Sequence, residues 1–376
     1  MRLIGWCSPE GEFAQKPLLG KPCRSYVEAA LLEAGAELVK ERETRLFTHA
    51  EVALIVREDA PCLTAETLME LANAARGTLA RPCVLLSQDL QSALAVALNK
   101  DALEAVVSGQ TMLPTVERVV EVLNDLGVAL RVWHDEHTDT YQMVCDAQSY
   151  AEVFRMLNQT NIAMHQQNGV IILDPERIVI EGGVTIGAGT MLYAGNTLQG
   201  GTVIGANCVL YPNNRIQNAA IGDETTVESS VLLDCSVGAH TTVGPYAYLR
   251  PHTSVGDHCR IGDFVEVKNS AIGDGTKVSH LTYVGDSDLG KDINLGCGVV
   301  FVNYDGKEKK RSRVEDHAFI GCNCNLVAPV HIGKNAYLAA GSTVVENVPE
   351  DALFVARARG VVKEEWVKRR KEAGKL

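Results

Sequence analysis

Apolar residues recur every six positions through the second half of this chain. Ile180, Ile186, Leu192, Leu198, Ile204, Leu210 and Ile216 keep the spacing without a miss, often followed by glycine or another small residue. The register slips by one at Ile221. Val237, Val243, Leu249, Val255, Ile261 and Val267 then resume it, and Ile320, Leu326, Ile332, Leu338 and Val344 close the series. Neither an α-helical period nor simple alternation spaces apolar residues at sixes over so long a span. Such a repeat predicts a parallel β-helix, in which three hexapeptides make a triangular coil of about eighteen residues with the apolar residue of each turned inward. Roughly nine coils are expected to stack from Ile178 to Val344. Left-handed winding is expected, against the usual crossover rule.

The repeat fails over Gly298 to Val314, GVVFVNYDGKEKKRSRV, so a loop carrying Lys307, Lys309, Lys310, Arg311 and Arg313 must leave the coil. The turn signal Asn303-Tyr304-Asp305-Gly306 opens it. A little upstream stands His280. Tyr283, Asn294, Glu266, Lys268 and Arg250 all lie within two coils of it, whereas His240, His252, His258, His317 and His331 have no such company and read as surface residues. Stacking brings residues about eighteen positions apart into contact, so Arg250 and Lys268 should share a face. Like charges there repel unless an anion sits between them, and a phosphate-bearing substrate would supply one.

Before the hexads, short β-rich runs alternate with helical ones: RLIGW then RSYVEAALLEAGA, EVALIV then TAETLMELANAA, CVLLS then LQSALAVAL, and VERVVEVLNDLG then VALRVW. This predicts a Rossmann-like α/β domain with a mostly parallel sheet over residues 1–146. Its first strand-to-helix connection, WCSPEGEFAQKPLLGKP, has neither GxGxxG nor GxxxxGK[ST], so no nucleotide loop is expected. His134-Asp135-Glu136-His137 reads as a solvated turn rather than a metal site. Residues 147–168 read as a connecting helix ending at Asn168-Gly169, residues 169–348 as the β-helix, and residues 349–376 as a basic tail. At 376 residues and 46% apolar the chain has ample material for two cores.

Eleven cysteines without a CxxC pair fit neither a disulfide framework nor a zinc ribbon. A net charge of −12 argues against nucleic acid as a partner. With no secretory leader and no membrane-length apolar run, a cytoplasmic location off the membrane is expected.

The motifs GVIILDP, GPYAYLRP, GDFVEVK, SHLTYVGD, NLGCG, NYDG, LVAPV and LAAGSTV together resemble the acetyltransferase half of a bacterial bifunctional family, the N-acetylglucosamine-1-phosphate uridyltransferases/glucosamine-1-phosphate acetyltransferases. The resemblance runs from about residue 147 to the end. It implies a homotrimer with active sites between subunits, acetyl-CoA as cosubstrate and glucosamine-1-phosphate as acceptor. His280 matches the family's general base, in keeping with an imidazole that titrates near neutrality. Glu266 and Asn303 match residues that fix its tautomer or align the amine. Arg250, Lys268, Tyr283, Asn294 and Lys309 match the sugar phosphate site, and backbone N–H groups near Cys297 and Tyr304 would hold the oxyanion. Ala340 and Arg357 match coenzyme A contacts. The chain departs from the pattern at Cys322, where the family usually has serine, at Cys297 for alanine, and at Val302 for a frequent cysteine. Altered coenzyme affinity is expected rather than loss of activity.

The first domain resembles the family's uridyltransferase half only in fragments, KPLLGKP, EDAPCLTAETL and CDAQSYAEV, and lacks its glycine-rich LxxGxGTRM signature. Asp59 matches a magnesium ligand whose partner asparagine is Cys145 here, and a thiol suits a hard ion poorly. Magnesium and pyrophosphorylase activity are therefore not expected. Two other readings stay open: acetylation of a different amino sugar phosphate, or a non-catalytic module that binds a sugar nucleotide or a partner enzyme. A histidine trio of the γ-class carbonic anhydrase kind is not apparent.

Overall fold

Each hexad forms a strand of two to four residues that pairs in parallel with its counterpart one coil away. The computed structural model describes residues 2–9, 13–39, 49–76, 81–87, 92–108, 112–133 and 142–375. The strands build three sheets of 10, 9 and 11 strands, the faces of a left-handed triangular prism. The first face carries Tyr248–Leu249, Glu266–Lys268, Tyr283–Gly285 and Val300–Val302; the second carries Thr253–Val255, Ala271–Ile272, Ser287–Leu289 and Ser312–Val314. The third carries Arg260–Asp263, Lys277–His280, Asn294–Leu295 and Phe319–Ile320.

Inside the first face, Leu198, Ile216, Leu232, Leu249, Val267 and Val284 stack in one column by register, and none is accessible to solvent. Burial of each contributes roughly 1.5–3 kcal/mol, which is why the spacing of these side chains governs the fold. The step along this column is not constant: 18 positions from Leu198 to Ile216, 16 from Ile216 to Leu232 and 17 from Leu232 to Leu249. On the second face Leu289 pairs with Val314, a step of 25 that accommodates the loop at 303–311. At the far end Leu353–Phe354 adds to the third face beside Tyr337–Leu338, so the start of the tail closes the stack. The helix Trp366–Glu372 follows, with no buried residue.

The first domain is a six-stranded sheet between two helical layers, with strand order 37–38, 3–8, 52–57, 93–99, 83–86, 131–133. Alternate residues of Val52–Arg57 point to opposite sides: Val52, Leu54 and Val56 pack with Leu31, Leu68 and Leu71, while Ala53 and Ile55 pack with Leu103 and Val119. Thr64, Asn99 and Thr115 cap their helices by accepting from the N–H of Thr67, Ala102 and Arg118. One expectation fails here. Where a helix was expected, Ala93–Asn99 is a strand antiparallel to both its neighbours, so the sheet is mixed. A short, wholly apolar run fits a buried strand as well as a helix, and Leu94 to Leu98, none accessible, sits between two strands.

By contacts the chain divides into two compact units, residues 1–163 with 180–182 and residues 164–179 with 183–376. The helix Ala147–Gln167 thus gives its last turn to the second unit. The motif His134-Asp135-Glu136-His137 lies outside the described residues, as does Glu10 to Glu12 of the first strand-to-helix connection.

Candidate active site

His280 ends a strand of the third face, and its register partner one coil back is Asp263. The two side chains meet: His280 Nδ1 lies 2.6 Å from Asp263 Oδ1. A carboxylate only accepts hydrogen bonds, so Nδ1 is the donor in this pair, and in the neutral ring that assignment leaves the lone pair on Nε2. The hydrogen bond from His280 holds the Asp263 carboxyl below its ordinary range. Close approach of the two strands depends on Gly262, where an added Cβ would come within 2.0 Å of Ser279 O.

Neither residue expected beside the histidine is bonded to it. Glu266, on the first face, accepts from Arg250 Nη1 at 2.8 Å. Asn303 donates to the Asp286 carboxylate and, at 3.4 Å, to the Tyr283 hydroxyl. Burial pushes the Asp286 carboxyl up, but hydrogen bonds from Asn269 and Asn303 and the nearby Lys268 and Lys309 outweigh it and leave the group lowered. Asp263 and Asp286 were not singled out from sequence. An eighteen-residue step back from His280 reaches Gly262, whereas the coil between Ile261 and Val278 has 17.

The cations do gather on the first face. Arg250 follows the register pair Leu249 and Val267, placing it beside Lys268 as the spacing predicts. Its guanidinium turns to Glu266, however, and the sharper repulsion falls between Lys268 and Lys309. The neighbouring Lys309 amine, followed by desolvation, pushes the Lys268 amine below its usual range. Other loop cations are engaged: Lys310 pairs with Asp305 at 3.3 Å, and Arg311 grips Asp288 and donates to Asn269 O at 2.8 Å. Tyr304 pairs with Lys309 in an antiparallel bridge, its ring exposed.

Asn294 is not with this group. It lies on the third face, between Lys277 and Phe319. A ligand touching both Asn294 and Lys268 of one chain would have to wrap an edge of the prism.

The coenzyme candidates form a column. Register carried two positions past Val278–Leu295, Leu295–Ile320 and Ile320–Leu338 stacks His280, Cys297, Cys322 and Ala340 on successive coils. Asn323 N donates to Cys297 O and Gly341 N to Cys322 O, both at 2.8 Å. A Cβ on Gly341 would come 3.9 Å from Arg357 Cδ, so Arg357 adjoins the column's end. Beside its base, Tyr246, Phe264 and Leu281 hold left-handed corner conformations, and each is more than half exposed.

In the first domain Asp59 is buried, and Arg57 donates to both its carboxylate oxygens at 2.9 and 2.8 Å. A guanidinium already neutralises the oxygens a magnesium ion would need, and Cys145 offers only sulfur, so these residues do not fit the ion. No helix among the described residues is long and apolar enough to cross a membrane.

The family model described as bacterial transferase hexapeptide (six repeats) matches residues 234–269 and 311–345. The chain is 45% identical over 248 residues to the bifunctional protein GlmU of Acetivibrio thermocellus, covering 66% of this chain and 54% of that one. To the bifunctional protein GlmU of Clostridium perfringens (strain ATCC 13124) it is 54% identical over 216 residues, 57% of this chain and 47% of the relative. The chain thus spans about half the length of the curated relatives it matches. An Arabidopsis UDP-N-acetylglucosamine acyltransferase structure aligns at 16% identity over 55% of this chain and 76% of its own, with a TM-score of 0.31, too low to bear on function.

Proposed function

We propose that this chain is a cytoplasmic N-acetyltransferase that uses acetyl-CoA to convert glucosamine-1-phosphate to its N-acetyl form for cell-wall precursor supply. The observation that carries the reading is the arrangement about one edge of the prism. A histidine whose Nδ1 is held by Asp263 stands at the foot of the Cys297–Cys322–Ala340 column, and a cation cluster occupies the adjoining face. GlmU-like sequence over the same part of the chain supports it.

In this reading Arg250, Lys268 and Lys309 bind the sugar phosphate, with Tyr283 and Asn303 beside them. Cys297, Cys322, Ala340 and Arg357 flank the coenzyme. His280 Nε2 takes a proton from the substrate amine as its nitrogen attacks the thioester carbonyl. The tetrahedral oxyanion, held by backbone N–H groups near Cys297 and Tyr304, collapses to the amide. The coenzyme thiolate leaves and recovers the proton from His280. Because Asn294 sits on a different face from the cations, the site is read as completed by a second chain, in a homotrimer whose subunits cover the apolar corner of Tyr246, Phe264 and Leu281. The Arg57–Asp59 pairing supports a first domain without magnesium-dependent uridyltransferase activity. Formation of UDP-N-acetylglucosamine from UTP would overturn that part.

The decisive assay is thiol release from acetyl-CoA with glucosamine-1-phosphate, alongside other amino sugar phosphates as acceptors. Wild-type protein should turn over, and His280→Ala should lose at least about 100-fold in kcat. Equal rates in the two proteins would sink the mechanism; preference for another acceptor would reassign the substrate.

A further inference from the structure

We infer that Asp263 is the positioning residue of the candidate base, holding the His280 ring with Nδ1 protonated so that Nε2 can take the amine proton. The inference rests on the acetyl-transfer reading above. Asp263 and His280 are register partners on adjacent strands, 2.6 Å apart between Oδ1 and Nδ1, and Leu281 N donates to Asp263 O at 2.9 Å. The same residue therefore fixes both the imidazole and the backbone that follows it. Gly262 permits that approach, and the 17-residue coil brings Asp263 rather than its neighbour beneath the ring. Glu266, the carboxylate expected there, is committed to Arg250 on another face.

The side chains are 51% and 36% exposed, so the pair adds little to stability in the isolated chain. Its value lies in orientation. An imidazole free to flip or change tautomer presents an N–H instead of a lone pair, whereas a carboxylate on the second nitrogen selects one tautomer and one ring orientation. The carboxylate also stabilises the imidazolium that forms when the proton is taken.

The test uses the full chain with ¹⁵N-labelled histidine, the His280 signals being assigned by their loss in His280→Gln. Wild-type protein should show the Nδ1–H tautomer. Asp263→Ala should lose that preference and lower kcat by about 10- to 100-fold, with KM for both substrates within about twofold of wild type. Asp263→Glu, which keeps the carboxylate, should recover the tautomer and part of kcat, whereas Asp263→Asn, uncharged and able to turn its amide N–H toward Nδ1, should recover neither. Glu266→Gln should leave the His280 spectrum unchanged. An unaltered tautomer or an unaltered kcat in Asp263→Ala would overturn the assignment. Failure of the wild-type chain to acetylate any amino sugar phosphate would overturn the acetyl-transfer reading, and this role with it, even if the Nδ1–H tautomer is seen.

Discussion

The Lys268 and Lys309 amines crowd each other, and that crowding defines what the first face is suited to bind. Two neighbouring ammonium groups destabilise each other, and the Lys309 amine lowers that of Lys268. A dianionic phosphate between them would turn repulsion into two charge-assisted hydrogen bonds. Removing Lys309 should therefore weaken the sugar phosphate more than it disturbs the chemistry. Lys309→Ala is expected to raise KM for glucosamine-1-phosphate by roughly 10-fold, leaving kcat within about threefold and KM for acetyl-CoA unchanged. Steady-state kinetics with each substrate varied in turn measure this. A loss confined to kcat would mean that Lys309 acts elsewhere. Arg250 is the milder cation, because Glu266 already answers its charge at 2.8 Å.

At the level of the element, the loop at 303–311 must hold Lys309 in place, and a small turn does so. The Asp305 carboxylate accepts from Lys307 N at 2.9 Å and Glu308 N at 2.8 Å, and pairs with Lys310 at 3.3 Å. Backbone hydrogen bonds from Glu308 and Lys307, aided by Lys310, lower this carboxyl to about 2. A folded-state pKa below the unfolded value of about 3.9 means that the contribution is intact above that value and fades as pH falls toward 2. Amide chemical shifts of Lys307 and Glu308 should stay constant from pH 7 to about 4 and move together below it. Movement near neutral pH would refute the turn's dependence on Asp305. The hexad strands were legible because a one-dimensional stack buries one apolar residue per strand, and Leu249, Val267 and Val284 reveal that demand directly. The cation face was legible for the same reason, since Arg250 and Lys268 belong to a coil of 18. Asp263 was not, because coils of 16 and 17 shift which side chains meet, and only the formed register settles the pairing. Ala93–Asn99 was missed because an alanine-rich apolar run suits a helix until strands flank it on both sides.

For the whole molecule, what matters is which chain supplies which part of the site. The base and the coenzyme column share the third face's edge, whereas Lys268 and Lys309 stand on and beside the first face, and Asn294 stands on the third. If the cation face of one subunit meets the histidine edge of its neighbour, two dead variants can repair each other. Assayed with the sugar phosphate well below its wild-type KM, His280→Ala and Lys268→Ala should each show little activity alone. In a randomly mixed trimer a site works when the edge comes from the Lys268→Ala chain and the face from the His280→Ala chain. Co-expressed in equal amounts and purified through two different tags, so that only mixed trimers remain, the variants should then regain about a third of wild-type activity, an expectation set by cyclic symmetry alone. The double variant His280→Ala/Lys268→Ala mixed with His280→Ala distinguishes rescue from wild-type carry-over, because that pair can form no working site. Light scattering of the same samples reports whether three copies assemble. Mixed oligomers that form yet stay inactive would place the base and the cations in one chain, and would leave Asn294 outside the site.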